Sequence, residues 1–305
     1  MAKVFIVPEG CSLITDGKIS LLIKNDLKES LLTQGILRPH TLIAQNSSLA
    51  VHLKGRGFLS SIPLQGSNGI KMIVKHCLRG GLIRFLTKDI FWQRNRPFNE
   101  MVTNREILQK GIKTTEIIAA AQHTLVGPFY KAYLFSKELP ESIDVISYCN
   151  TLQHCSPEQR FREKKYLFQS LAKAIFKMHH AGIYHCDLHL KNILIQQRAD
   201  ELPEIYIIDF DKAVIKKKLS PRERIKNLLR FNRSIEKLRL KGGKITRTDQ
   251  MIFFKEYFNY DSDTATLFEK NRKRYSALLR LRKVKWSFIN LTTKMFTSSA
   301  KELLY

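Results

Sequence analysis

Hydrophobic and polar positions follow two different rhythms along this chain. Residues 51–64, V-H-L-K-G-R-G-F-L-S-S-I-P-L, read as a strand, a glycine turn at Gly55 to Gly57, and a second strand. Q-G-S-N-G at 65–69 reads as a hairpin turn, because Asn-Gly tolerates positive φ. I-K-M-I-V-K-H at 70–76 follows as a third strand, so the three predict an antiparallel meander. Residues 97–110 predict a helix with Phe98, Met101, Val102, Ile107 and Leu108 on its apolar side and Gly111 as its stop. F-Y-K-A-Y-L-F at 129–135 predicts another strand, and residues 136–141, with Pro140 among them, read as a connector. Beyond it the helical period takes over. Residues 158–181 predict a long helix with Phe161, Leu167, Leu171, Ile175 and Met178 toward the core. N-I-L-I at 192–195 and I-Y-I-I-D-F-D at 205–211 predict a buried hairpin, and the chain from Lys212 reads mainly as helix. The first 50 residues mix short apolar runs with polar turns and define no element by pattern.

The predicted fold class is therefore α+β and bilobal: an antiparallel-sheet N-terminal lobe over residues 1–136 and a mainly helical C-terminal lobe over 137–305, with a cleft expected at the hinge. Composition supports a folded chain, with 44% hydrophobic and 26% charged residues among 305. Charge changes the picture: 52 Lys and Arg against 27 Asp and Glu leave a net +25. Such an excess calls for an anionic partner: nucleic acid, an anionic membrane face or a phosphorylated substrate. No stretch approaches the roughly 18 apolar residues of a membrane-spanning helix. The apolar run near the N-terminus is short for a secretory signal and is interrupted by Pro8 and Glu9. Five scattered cysteines without a C-x-x-C pair indicate neither a zinc site nor a disulfide framework, and a reducing, cytoplasmic setting is expected.

The chemistry concentrates in Y-H-C-D-L-H-L-K-N-I-L-I, residues 184–195, and I-I-D-F-D-K-A, residues 207–213. Asp187 stands two residues after His185, Asn192 five residues after Asp187, and Asp209 ends an apolar strand. This constellation resembles the catalytic loop and metal-binding Asp of the protein-kinase-like superfamily. The resemblance implies that Asp187 meets the attacking hydroxyl while Asn192 and Asp209 hold Mg²⁺ on the phosphates of ATP, both being hard oxygen ligands. It gives His185 a supporting role in the loop, and leaves Asp211 open between aiding the metal and capping the next turn. In the N-terminal half, Gly55, Arg56 and Gly57 are the candidate phosphate-covering turn. Lys75 is the candidate α/β-phosphate contact, ahead of Lys71 on the same face. Glu100 is preferred over Glu106 as the partner of Lys75, since Glu106 lies close to the helix end.

A narrower resemblance rests on L-R-G-G-L at 78–82, Lys88-Asp89, R-P-F-N-E at 96–100, G-I-K-T-T-E at 111–116, Y-K-A-Y-L-F-S-K-E-L at 130–139, Asp209 to Lys212, and N-L-L-R-F-N-R-S-I-E-K-L at 227–238. Across roughly residues 54–260 the chain is similar to the lipopolysaccharide core kinase family. That resemblance implies an ATP-dependent phosphotransferase acting on an inner-core sugar, 3-deoxy-D-manno-octulosonic acid (Kdo). The acceptor would be Kdo–lipid A at the cytoplasmic face of the inner membrane, with the enzyme bound peripherally. The basic runs at 216–218, 239–244, 270–275 and 280–285, the last beside Trp286, suit an anionic membrane surface, and nucleic acid is not the expected partner. Two alternatives stand beside this reading. The D-L-H-x-x-N form, with His189, is also seen in aminoglycoside and choline kinases, which phosphorylate small molecules. A kinase-like adaptor without turnover would share the charge, yet retention of Asp187, Asn192 and Asp209 argues for a metal–nucleotide site.

Overall fold

The computed structural model describes residues 5–45, 59–66, 69–78, 89–92, 95–197, 203–284 and 286. The Gly55–Arg56–Gly57 turn, the strand read ahead of it, Lys88 and Lys285 lie outside the described residues. The chain divides between Pro140 and Glu141 into two compact units.

In the first unit the strands are β1 (Cys11–Asp16), β2 (Ile19–Lys24), β3 (Leu59–Pro63), β4 (Lys71–His76), β5 (Ile117–Thr124) and β6 (Tyr130–Lys137). Among the described residues they form one antiparallel sheet in the order β1-β2-β5-β6-β4-β3. β3 and β4 flank the segment that the pattern reads as a hairpin turn, and Gly66 and Gly69 in it both have positive φ. Side-chain parity sorts the sheet into two cores. Leu21, Ile23, Met72, Val74, Ala119, Ala121, Tyr133 and Phe135 face one way, toward helices α1 (Lys28–Thr33) and α2 (Pro39–Gln45), which contribute Leu31 and Leu42. Leu22, Ala120, Ala132 and Leu134 face the other way, toward Phe98 and Met101 of helix α3 (Arg96–Gln109). Covered on both faces, β5 has room only for alanine at its centre.

Helix α3 begins one residue before the predicted start and stops at Gly111, whose φ is +75°. Its buried side differs in part from the predicted one. Val102 and Leu108 are only half-buried, and Asn104 is buried instead. The Asn104 amide donates to the Thr115 carbonyl at 2.9 Å and its oxygen accepts from the Ile117 amide at 3.0 Å, stitching α3 to the start of β5.

The second unit holds β7 (Ser142–Asp144), α4 (Val145–Thr151), α5 (Pro157–His180), β8 (Ile183–Tyr184), β9 (Ile193–Gln196), β10 (Glu204–Ile207), β11 (Val214–Ile215), α6 (Pro221–Arg239), α7 (Arg247–Tyr260) and α8 (Ser262–Lys270). Residues 272–284 continue as helix. Ser156 caps α5 by accepting from the Gln159 amide, with Pro157 in the first turn, where its missing N–H is not needed. Leu167, Leu171, Ile175 and Met178 are buried as expected, but Phe161 is 54% exposed. Phe161 lies in the first turns of α5, and the packed face starts one turn later at Lys164. The Lys164 ammonium donates to Asp249 Oδ2 and to the Lys244 carbonyl, both at 2.6 Å, binding α5 to α7. The predicted hairpin is present as β9 and β10, paired antiparallel with β7 on the other side of β9.

Gly182, at φ +79°, leads from α5 into β8, and its carbonyl accepts from the Lys216 amide at 2.9 Å. A Cβ at this position would collide with the Lys216 carbonyl. The close approach lets the two-residue strand β8 pair with β11 and aims the segment that follows, residues 185–192.

Candidate active site

Two groups of the sequence-predicted residues come together, one in each unit. In the first unit, Met72 and Val74 of β4 face the core under α1 and α2. Lys71, Ile73 and Lys75 therefore face the α3 side of the sheet. There Lys75 Nζ lies 4.0 Å from Glu100 Oε1, and the Glu100 side chain is only 8% exposed. Glu106, the alternative partner, is half exposed and stands 3.9 Å from Lys110 one turn along its own helix. Gly55, Arg56 and Gly57 fall outside the described residues.

In the second unit, His185 is the hub. Its fully buried ring donates through Nε2 to the Ile208 carbonyl at 3.1 Å and accepts at Nδ1 from the Asp187 amide at 3.0 Å. The first contact fixes the residue before Asp209, and the second fixes Asp187. Burial lowers the His185 pKa, opposed by the Ile208 hydrogen bond and by the charges of Asp209 and Asp187. The ring is therefore neutral, as one donating and one accepting nitrogen require. It packs against Phe210, with ring centroids 4.8 Å apart.

Asn192 supplies the second set of ties. Its Nδ2 donates to the Asp187 carbonyl at 3.0 Å, and its own carbonyl accepts from the Ile208 amide at 2.9 Å. With the amide nitrogen committed, Oδ1 is the atom that remains for a metal. Asp209 is exposed and sits at φ +63°, a left-handed conformation that Asp tolerates better than most residues. Cys186 donates its thiol to the Lys212 carbonyl at 2.8 Å, another link between the 185–192 loop and the 208–213 segment. Among the described residues no three His, Cys, Asp or Glu side chains gather closely enough to hold a metal alone. An amide oxygen and one carboxylate are a donor set that fits Mg²⁺, which keeps waters and takes further ligands from substrate phosphates.

Helix α6 adds residues that local pattern did not single out. Asn227 donates to the His185 carbonyl at 2.6 Å. Arg230 Nη1 stands 3.4 Å from Asp187 Oδ1, while His189 Nε2 stands 3.4 Å from Asp187 Oδ2. The signal lay in N-L-L-R-F-N-R, where Asn227 and Arg230 stand one turn apart.

Behind the loop, His179 donates through Nε2 to Asn227 Oδ1 at 2.9 Å and accepts at Nδ1 from the Tyr257 hydroxyl at 2.7 Å. Burial lowers its pKa from 6.5 to about 4. The unfolded chain thus takes up a proton near pH 6.5 that the folded chain refuses until about 4. The stability this group contributes is full above that upper value and is lost as pH falls toward the lower one, by about 3 kcal/mol in total. Urea unfolding should show the midpoint falling across this interval, with a shallower fall in the His179→Gln variant. Equal slopes for the two proteins would contradict the assignment.

The model of the Lipopolysaccharide kinase (Kdo/WaaP) family matches residues 44–257. The chain is 30% identical over 203 residues to a 3-deoxy-D-manno-octulosonic acid kinase of Vibrio cholerae serotype O1 (strain ATCC 39315 / El Tor Inaba N16961), covering 65% of this chain and 78% of the relative. It is 32% identical over 176 residues to the protein of the same name from Vibrio vulnificus (strain YJ016), covering 56% and 68%. Among solved structures, WaaP in complex with acyl carrier protein aligns with a TM-score of 0.55 at 16% identity, over 87% of this chain and 98% of that one. At that identity the likeness establishes the fold, a protein-kinase-like one.

Proposed function

Since the chain belongs to the lipopolysaccharide kinase (Kdo/WaaP) family, we propose that it transfers the γ-phosphoryl group of ATP to a hydroxyl of Kdo, with Kdo–lipid A as the acceptor. The observation that carries this reading is the set of hydrogen bonds from His185 and Asn192 that fixes Asp187, Asn192 and the approach to Asp209 as one unit. The relatives' names support the sugar, and favour it over a small-molecule kinase or an adaptor without turnover.

Asp187 orients the acceptor hydroxyl and takes its proton. The acceptor oxygen forms a bond to the γ-phosphorus while the bond from that phosphorus to the leaving oxygen breaks, and ADP departs with the electron pair. Asn192 Oδ1 and the Asp209 carboxylate would hold Mg²⁺, which supplies charge neutralisation on the phosphates when bound. In the first unit, Lys75, paired with Glu100, is the residue this reading assigns to the α- and β-phosphates. The transfer is mostly positioning, so rigidity of the 185–192 loop matters more than any single pKa. The test is the mass of Kdo–lipid A after incubation with the protein, ATP and Mg²⁺.

The same reading places the enzyme peripherally on the cytoplasmic face of the inner membrane. What supports this is the helix at 272–284, which exposes Leu278, Leu281 (69%) and Val284 (70%) beside Arg280. A basic helix with an exposed apolar stripe suits an anionic lipid surface. The protein should sediment with vesicles containing anionic lipid at low salt and be released at high salt. Equal sedimentation with neutral vesicles, or indifference to salt, would count against this placement.

A further inference from the structure

Beside Asp187 the second unit gathers cations that outnumber their carboxylate partners among the described residues. Arg230 of α6 stands 3.4 Å from Asp187. Arg233 follows three residues later, so it lies on the same side of the helix. Between them and the loop, Ser234 accepts from the Leu190 amide at 3.2 Å, which seats this part of α6 against the segment carrying Asp187 and Asn192. The helix at 272–284 comes to the same place: Lys283 pairs with Glu236 of α6 at 2.5 Å, and the neighbouring Arg282 lies within range for its charge to act on Arg233. Arg233 is half-buried and makes no ion pair among the described residues. Among the described residues the charges acting on it are Arg282 and Arg230, with Tyr184 the one favourable neighbour, and burial together with those two cations lowers its pKa. Like charges held together at partial burial cost free energy unless an anion joins them.

We propose that Arg230, Arg233 and Arg282 form an anion-binding subsite next to Asp187 that seats the carboxylate of a sugar-acid acceptor. This rests on the proposed transfer to Kdo and names what recognises it. Guanidinium groups suit the task because each offers paired N–H donors to the two oxygens of a carboxylate. Because Arg230 reaches Asp187 itself, the anion it helps hold belongs to the same sugar as the hydroxyl that Asp187 meets. A phosphate on the lipid part of the acceptor shares the chemistry but lies farther from the reacting hydroxyl, and the experiment separates the two.

The experiment measures steady-state phosphorylation of detergent-dispersed Kdo–lipid A by the full-length protein and its Arg233→Gln and Arg282→Gln variants. Arg282 is exposed near the end of a helix, so its variant remains informative if Arg233→Gln fails to fold. The KM for acceptor should rise about tenfold in each variant, the scale of a charge-assisted hydrogen bond, while the KM for ATP moves less than about twofold. With a carboxyl-reduced acceptor, wild type and variants should bind equally poorly. If removal of the lipid phosphates erases the difference instead, the anion is a phosphate and the carboxylate assignment is overturned. An unchanged acceptor KM in both variants, or matching rises in both KM values, overturns the subsite. Absence of phosphorylation by the wild-type protein would overturn the proposed function itself, so the two failures are distinct.

Discussion

Asp187→Asn should lower turnover about 10³-fold while leaving the fold and nucleotide binding in place, the scale expected when a positioned base is removed. The substitution keeps the size of the side chain and an oxygen for Arg230, and the Asp187 side chain is half exposed, so little folding energy depends on its charge. Its backbone ties are untouched: the amide still donates to His185 and the carbonyl still accepts from Asn192. The loss should therefore appear in kcat, with the KM for ATP nearly constant and thermal unfolding within a few degrees of wild type. A variant that phosphorylates the acceptor at the native rate would remove Asp187 from the mechanism.

Asp249→Ala should destabilise the protein by about 3–5 kcal/mol, the cost of leaving a buried charge without its partner. Asp249 Oδ2 accepts from the Lys164 ammonium at 2.6 Å and from the Thr246 amide at 2.7 Å, and both partners of the ion pair are buried. The substitution strands Lys164 between α5 and α7 and removes half of the capping box that starts α7. By contrast Arg272 and Glu269 are well exposed at 3.4 Å, and breaking that pair should change stability by under about 1 kcal/mol. Urea unfolding of the two variants provides the comparison. Similar midpoints for both would show that the buried pair has no special weight.

The motifs around Asp187 and Asp209 were legible because the interactions that organise them are largely short-range in sequence: His185 reaches two residues to Asp187, and Asn192 reaches five residues back. The long helix α5 was legible by its period, and the β3–β4 turn by its glycines. Other features are set by partners distant in the chain. The strand β5 reads I-I-A-A-A-Q-H-T, and alanine has little intrinsic preference for strands. Its alanines are there because helices cover both faces of the sheet, a fact that no local window contains. The hairpin β1–β2 carries no alternating pattern for a related reason, since its inner strand β2 is apolar on successive positions where it is buried on both sides. Lys164 reads as a solvated charge until Asp249, 85 residues later, is placed against it. Arg230 likewise acquires its meaning only when α6 packs beside the loop that bears Asp187.

The mass of Kdo–lipid A after incubation with the protein, ATP and Mg²⁺ tests the phosphotransferase reading most directly. The expected product is heavier by one phosphate, fragmentation places that phosphate on Kdo, and chelation of Mg²⁺ prevents the change. An acceptor of unaltered mass, or a phosphate gained on the lipid instead of the sugar, would contradict it.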